Sequence, residues 1–189
     1  RYPANTDESL ADLSKVKRSD LIAFHKAFYG ANGQIAIVGD FDAKPVEEQV
    51  RKLFGNWKAQ TPYERIKSQF FDVPRLERSI PAPGKANAYL SAGLNLAIGD
   101  THPDYPGLFL GNYMLGGGTL RSRLADRIRQ KEGLSYGVSS QVQAGTQDPV
   151  SKWTAMAIFN PLNADKVESA FKEEIAKVLK DGFTEDEIA

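Results

Sequence analysis

The sequence contains no cysteine, which removes disulfides, thiol nucleophiles and thiolate metal sites together. Histidine is nearly as scarce. His25 and His102 are the only two, they stand far apart, and neither has a second histidine four residues away. A zinc site needs three or four converging ligands, so none is expected within this chain. Net charge is also missing: 24 Lys and Arg balance 24 Asp and Glu. No global field therefore draws the chain to nucleic acid or an anionic membrane, and any recognition must be local. No apolar run is long enough for a membrane-spanning helix, and no segment resembles a signal peptide. Gly-x-Ser-x-Gly is absent, so hydrolysis through an activated serine has no support.

What is present is the profile of a globular protein, 189 residues with 41% hydrophobic and 25% charged side chains. That length suits one domain, 1–189. The chain opens on Arg1 rather than Met, and we expect further sequence before it. Residues 1–17 are polar and broken by Pro3, Asn5, Thr6 and Asp7, and read as a lead-in. Ser19 is expected to cap a helix carrying Leu21, Phe24 and Phe28 on one face, with Gly30 and Gly33 ending it. Residues 34–38 read as a buried strand. Pro45 suits a first helical turn, with Val46, Val50, Leu53 and Phe54 marking the apolar face behind it.

Residues 58–87 hold Pro62, Pro74, Pro81, Pro83 and Gly84, and read as an irregular connection. A strand is expected over 88–98 and a helix over 105–115. Gly116–Gly118 should then break the chain before Thr119 caps a helix through Leu120, Leu124 and Ile128. Residues 134–144 and 152–159 alternate as two strands around a Gly-Thr-Gln-Asp-Pro turn, an antiparallel pair. Asn163 should cap a long helix striped by Val167, Phe171, Ile175, Val178 and Leu179 up to Gly182. Thr184 and Glu187 form a capping box, the start of another helix two residues before the chain ends. So short a helix cannot sustain itself, so the chain is expected to belong to a longer protein. Strands adjacent at the C-terminal end, with helices between, predict an α+β fold: a mostly antiparallel sheet with helices on one face.

Individual candidates for chemistry are mostly ordinary. His25 beside Phe24 suits a structural or surface role, and His102 before Pro103 suits a turn. Three glycines before a helix can cradle an anion, but the Lys-Ser or Lys-Thr of a P-loop does not follow, and a sharp turn between helices is the plainer reading. The strongest constellation runs from Arg121 to Tyr136. A helix carries Arg121, Arg123, Arg127 and Arg129, Gly133 ends it, and a strand opens at Tyr136. Arg129 and Tyr136 lie near one junction although six residues separate them. An arginine fork and a phenol aimed at one carbonyl oxygen can hold a peptide and stabilise a developing oxyanion. A solvated basic helix face beside an ordinary strand tyrosine is the bland alternative.

The segments 115–124 (Leu-Gly-Gly-Gly-Thr-Leu-Arg-Ser-Arg-Leu) and Arg129-x6-Tyr136, the latter containing Glu132-Gly-Leu-Ser-Tyr, resemble the C-terminal-domain signature of the M16, pitrilysin-like zinc peptidases. His102-Pro-Asp-Tyr upstream resembles the same domain. So do Ser19-Asp-Leu-x-x-Phe-His-Lys-x-Phe-Tyr and Ile37-Val-Gly-Asp-Phe-Asp, in the same order. The resemblance implies the metallohydrolase fold of that family, with Arg129 and Tyr136 as catalytic residues. It also implies Zn2+ in the full enzyme but not bound by this chain, because the family's His-x-x-Glu-His motif lies on another domain or subunit and is missing here. The implied partners are that zinc-bearing domain and a peptide substrate, and a periplasmic location follows from the family alone. Two relatives of other kinds remain open: a non-catalytic homologue such as a respiratory bc1 core subunit, and the zinc-free subunit of a two-chain peptidase. A protein- or anion-binding module on the arginine-rich helix is a third possibility.

Overall fold

The computed structural model describes residues 3–30, 33–118 and 121–188. They form two compact units, 1–66 and 67–189. The first contains α1 (Thr6–Leu13), α2 (Arg18–Phe28) and α3 (Ala43–Phe54). Asn5, expected only to interrupt a lead-in, instead caps α1. Its Oδ1 accepts from the Glu8 N–H, and its own N–H donates to Glu8 Oε2, both at 2.9 Å, a reciprocal box that satisfies two end groups. Ser19 does not cap α2. The cap position is Lys17, whose N–H donates to Asp20 Oδ2 at 2.9 Å. Leu21, Phe24 and Phe28 do share a helix, yet all three are exposed, as are Leu53 and Phe54 on α3. Residues 34–38 form no strand, and Ile35, Ile37 and Val38 are exposed. A strand needs a neighbour for its N–H and C=O groups, and unit 1 has no other strand among its described residues.

The second unit begins with an irregular segment, and no helix or strand occurs from 57 to 87. Three strands follow: β1 (Ala88–Leu96), β2 (Ser135–Ala144) and β3 (Ser151–Phe159). They form an antiparallel sheet in the order β1-β3-β2. The β2–β3 pair matches the expected hairpin, and the fold class is the α+β arrangement expected. Helix α4 (Tyr105–Asn112) runs on as a π-helical turn, Tyr113–Gly117. A second π-helical stretch, Ala125–Lys131, precedes β2. After β3 a single 3-10 turn leads into α5 (Ala164–Asp181), and α6 (Glu185–Ile188) closes the described chain. Among the described residues no helix is long and apolar enough to cross a membrane.

Period-2 alternation decides which sheet face is covered. Ala155, Ala157 and Phe159 of β3 are buried, whereas Met156 and Ile158 between them are exposed. The buried side meets Leu115, Leu124, Ile128, Leu134, Val167 and Ala170, with Val138, Trp153, Phe171 and Ile175 packed around them. Helix and sheet approach closely at Gly116. A Cβ there would lie 2.6 Å from Ser140 Oγ and 2.9 Å from Ser140 N. The glycines therefore serve packing here. Thr119 and Leu120, expected to start the next helix, lie outside the described residues. Arg121 and Ser122 precede that helix rather than belonging to it. Asn112 fastens the same contact: its Oδ1 accepts from Ser140 Oγ at 2.8 Å and from Trp153 Nε1 at 3.0 Å.

Two expectations for α5 need correction. Asn163 occupies the cap position, but its side chain donates to Leu134 O at 3.3 Å instead of capping. Leu179 is exposed, and Glu174 takes a buried place on the inner face. Burial of that carboxylate is balanced by Lys177 Nζ at 2.8 Å and Arg127 Nε at 3.5 Å. At the C-terminal end, Glu187 accepts from the Thr184 N–H at 2.8 Å and the Thr184 hydroxyl at 3.0 Å. Only the Glu side of the expected box is formed. Glu187 also binds Arg123, whose Nε donates to Oε1 at 2.7 Å and whose Nη2 forms a second bond to Oε2.

Ile128 is fully buried, so Ile128→Ala should cost about 2–5 kcal/mol in urea unfolding. Leu179→Ala, on an exposed position of the expected α5 stripe, should change it by less than about 0.5 kcal/mol. Equal losses would place the core elsewhere. The Arg123 hydrogen bonds are the main cause that holds the Glu187 carboxyl down at about 2, against an ordinary 4.5. Burial opposes them and Thr184 adds to them. A folded pKa below the unfolded one contributes stability that is full above about 4.5 and is lost as pH falls toward about 2. Unfolding midpoints followed from pH 6 to pH 2 should show this loss, and Glu187→Gln should remove that increment of pH dependence. An unchanged profile in the variant would clear the pair of responsibility.

Candidate functional site

Residues 121–136 form the candidate site, and the structure sorts its charges into two groups. Arg123 is only 12% exposed at its side chain. Besides Glu187, it donates to Gly182 O at 3.1 Å and lies 5.0 Å from the centre of the Phe183 ring. Arg127 bonds Glu132, lies 3.1 Å from Glu173 and reaches Glu174. Both guanidinium groups are therefore committed to holding helices together, which counts against an anion-binding face made of all four arginines. Arg129 is different. It is exposed, and among the described residues its side chain makes no hydrogen bond or ion pair. It sits in the Ala125–Lys131 π-helical stretch, a rare helix type that often occurs at functional positions.

The helix ends through backbone bonds that bring the next residues under it. Gly133 N–H donates to Arg129 O at 3.1 Å, and Leu134 N–H donates to Ile128 O at 2.9 Å. Gly133 has φ +60°, the left-handed conformation that glycine adopts without a Cβ clash. Tyr136 is the second residue of β2 and is 71% exposed. Arg129 and Tyr136 thus flank one helix-to-strand junction with both polar ends open. Among the described residues no hydrogen bond or cation–π contact joins the two, so each remains able to donate to a third group.

A bulge in β2 places Tyr136. Ser135 pairs with Phe159 and Gly137 with Ile158, so β2 advances two residues while β3 advances one. Tyr136 is the extra residue. Ser135 is buried, and its Oγ lies 2.8 Å from Ile158 O and 2.7 Å from Gly137 O while accepting from the Gly137 N–H at 3.1 Å. The hydroxyl has one proton for the two carbonyls. Ser135 was not singled out from sequence. The available signal was parity: in a regular strand Tyr136 shares a face with Val138, Ser140 and Val142.

Neither histidine falls within residues 121–136. His25 stacks on Tyr29 and Trp57, with ring centres 5.1 and 5.4 Å away. His102 Nδ1 accepts from the Asp104 N–H at 3.2 Å, and its carbonyl accepts from the Tyr105 N–H at 2.9 Å, which organises the turn before α4. Among the described residues no three His, Cys, Asp or Glu side chains gather as metal ligands would.

Comparison with solved structures gives the fold a context. A peptidase M16 inactive domain from Pseudomonas fluorescens aligns with a TM-score of 0.64 and 25% identity, over 94% of this chain and 42% of that one. A protease from Helicobacter pylori aligns at 0.67 and 22%, over 95% of this chain and 43% of that one. The periplasmic protease PqqL from Escherichia coli aligns at 0.59 and 19%, over 80% of this chain and 16% of that one. The chain thus spans less than half the length of each of these three. No match was found among curated proteins. The family model for the peptidase M16 inactive domain matches residues 15–189, and the chain belongs to that family.

Proposed function

We propose that this chain is the substrate-side domain that completes the active site of a zinc metallopeptidase and is inactive alone. Arg129 and Tyr136 would donate to the carbonyl oxygen of the scissile peptide bond and to the oxyanion that forms there. One observation carries the reading: in an M16 inactive-domain fold, these two donors flank one junction, exposed and unengaged, while Arg123 and Arg127 beside them are consumed by carboxylates. A guanidinium fork and a phenol are suited to a developing negative oxygen because both donate hydrogen bonds.

The residues present do not fit zinc. His25 and His102 fall in different units, and no ligand cluster accompanies either among the described residues. In this reading the metal belongs to a second M16 domain, on the same polypeptide or a partner subunit, and residues 1–189 form one C-terminal-type domain. The contribution of this chain is confined to holding the peptide and its carbonyl oxygen. The non-catalytic alternative is a structural subunit of the same family.

In the complete enzyme, Arg129→Ala and Tyr136→Phe should each reduce turnover by about 10² to 10³, the usual size for loss of an oxyanion donor. The chain alone should cleave no peptide. Unchanged turnover in both variants would remove them from the chemistry. If neither the same polypeptide nor a partner subunit carries His-x-x-Glu-His, the peptidase reading fails in favour of the structural subunit.

A further inference from the structure

We infer that Ser135 is a positioning residue that holds Tyr136 out of the core, an inference that rests on the role proposed above for Tyr136. The reasoning begins with parity. Successive strand residues point to opposite faces, and Ser140 is buried while Val138 and Val142 are partly buried on the helix-covered face. Tyr136 has their parity. A regular β2 would therefore point its phenol inward, toward Leu134, Phe159 and Ile128. Instead it is 71% exposed, and the parity changes at the step from Ser135 to Gly137 where β2 gains a residue over β3. A bulge re-aims one side chain while the rest of the strand keeps its pairing.

A bulge leaves backbone groups without their ladder partners, and something must satisfy them. Ser135 Oγ does so from a buried position. It accepts the Gly137 N–H beyond the bulge and lies within hydrogen-bond distance of Ile158 O on β3 and Gly137 O. One hydroxyl thus spans the extra residue from both sides. Gly137 does not supply the constraint: it has no positive φ, and a Cβ there would meet nothing within 4 Å. Alanine at 135 would keep the buried methylene but strand these groups, so the regular register, with Tyr136 turned inward, would compete with the bulge.

The test uses the complete enzyme with its zinc-bearing domain. Ser135→Ala should lower kcat about 10- to 100-fold, the effect of a misplacement on the scale of an ångström. KM should move less than about twofold, because the affected interaction grows mainly in the transition state. Ser135→Thr, which keeps an oxygen at the γ position, should restore most of the rate. In a Tyr136→Phe background, Ser135→Ala should cost nothing further. An equal loss in both backgrounds would overturn the proposal, since Ser135 would then act independently of Tyr136. Should Ser135→Ala fail to fold, Ser135→Cys, of similar size but weaker hydrogen bonding, should lose rate in the same direction. A crystal structure of the tested variant supplies the separate readout: an inward or shifted Tyr136 supports the proposal, and an intact bulge with Tyr136 still exposed overturns it. If Tyr136→Phe leaves kcat unchanged, the catalytic reading of Tyr136 falls while that structure still decides the role of Ser135.

Discussion

Strand β3 is hydrogen-bonded along both edges, to β1 over Ala88–Leu96 and to β2 over Ser135–Ala144. Its alternation of buried Ala155, Ala157 and Phe159 with exposed Met156 and Ile158 is therefore imposed on both neighbours. A slip of one residue in either partner would exchange its entire inward and outward sets. The small residues at 155 and 157 let the covering helices come close. Leu124, Ile128 and Val167 fill the space above them with no exposed surface of their own. The strand residues of the candidate site are placed against this fixed parity, and Tyr136 departs from it.

Charge is distributed with equal economy around that core. The arginines between 121 and 129 look equivalent in the sequence, but packing gives them different duties. Arg123 ties the helix to α6 and the Gly182 carbonyl, and Arg127 ties it to α5 through Glu173 and Glu174. The buried carboxylate of Glu174 is stable only because Arg127 and Lys177 approach it, since an unpaired buried charge is costly. Arg121 and Arg129 are exposed, and among the described residues neither side chain is held by a carboxylate.

The same separation of duties explains why the polar residues that matter most are not the charged ones. Asn112 joins α4 to two strands through Ser140 and Trp153. Ser135 closes the gap that the bulge opens in the ladder. Both are uncharged and small, and both satisfy groups that would otherwise be buried without partners. Such residues carry no distinctive spacing, because their partners are brought to them by the fold.

The amino-acid sequence by itself determined the elements whose signal is local. The β2–β3 hairpin, the long helix α5, the irregular connection and the Gly133 stop follow from periodicity, proline content and backbone permissiveness. The ordered motifs from Ser19 to Tyr136 also carried the family membership that the comparison established for residues 15–189. Features that depend on a distant partner were not legible. Residues 34–38 read as a buried strand, but their unit has no other strand among its described residues; Leu179 keeps the helical stripe yet stays exposed, and the Asn163 side chain donates to Leu134 O instead of capping. The Arg129-x6-Tyr136 spacing was readable in the sequence. That Arg129 is unengaged among the described residues, and that Tyr136 is exposed against its own strand parity, only the tertiary structure decided. The reason is physical: partners 46 to 64 residues away neutralise Arg127 and Arg123, and a bulge registered against β3 turns the tyrosine out.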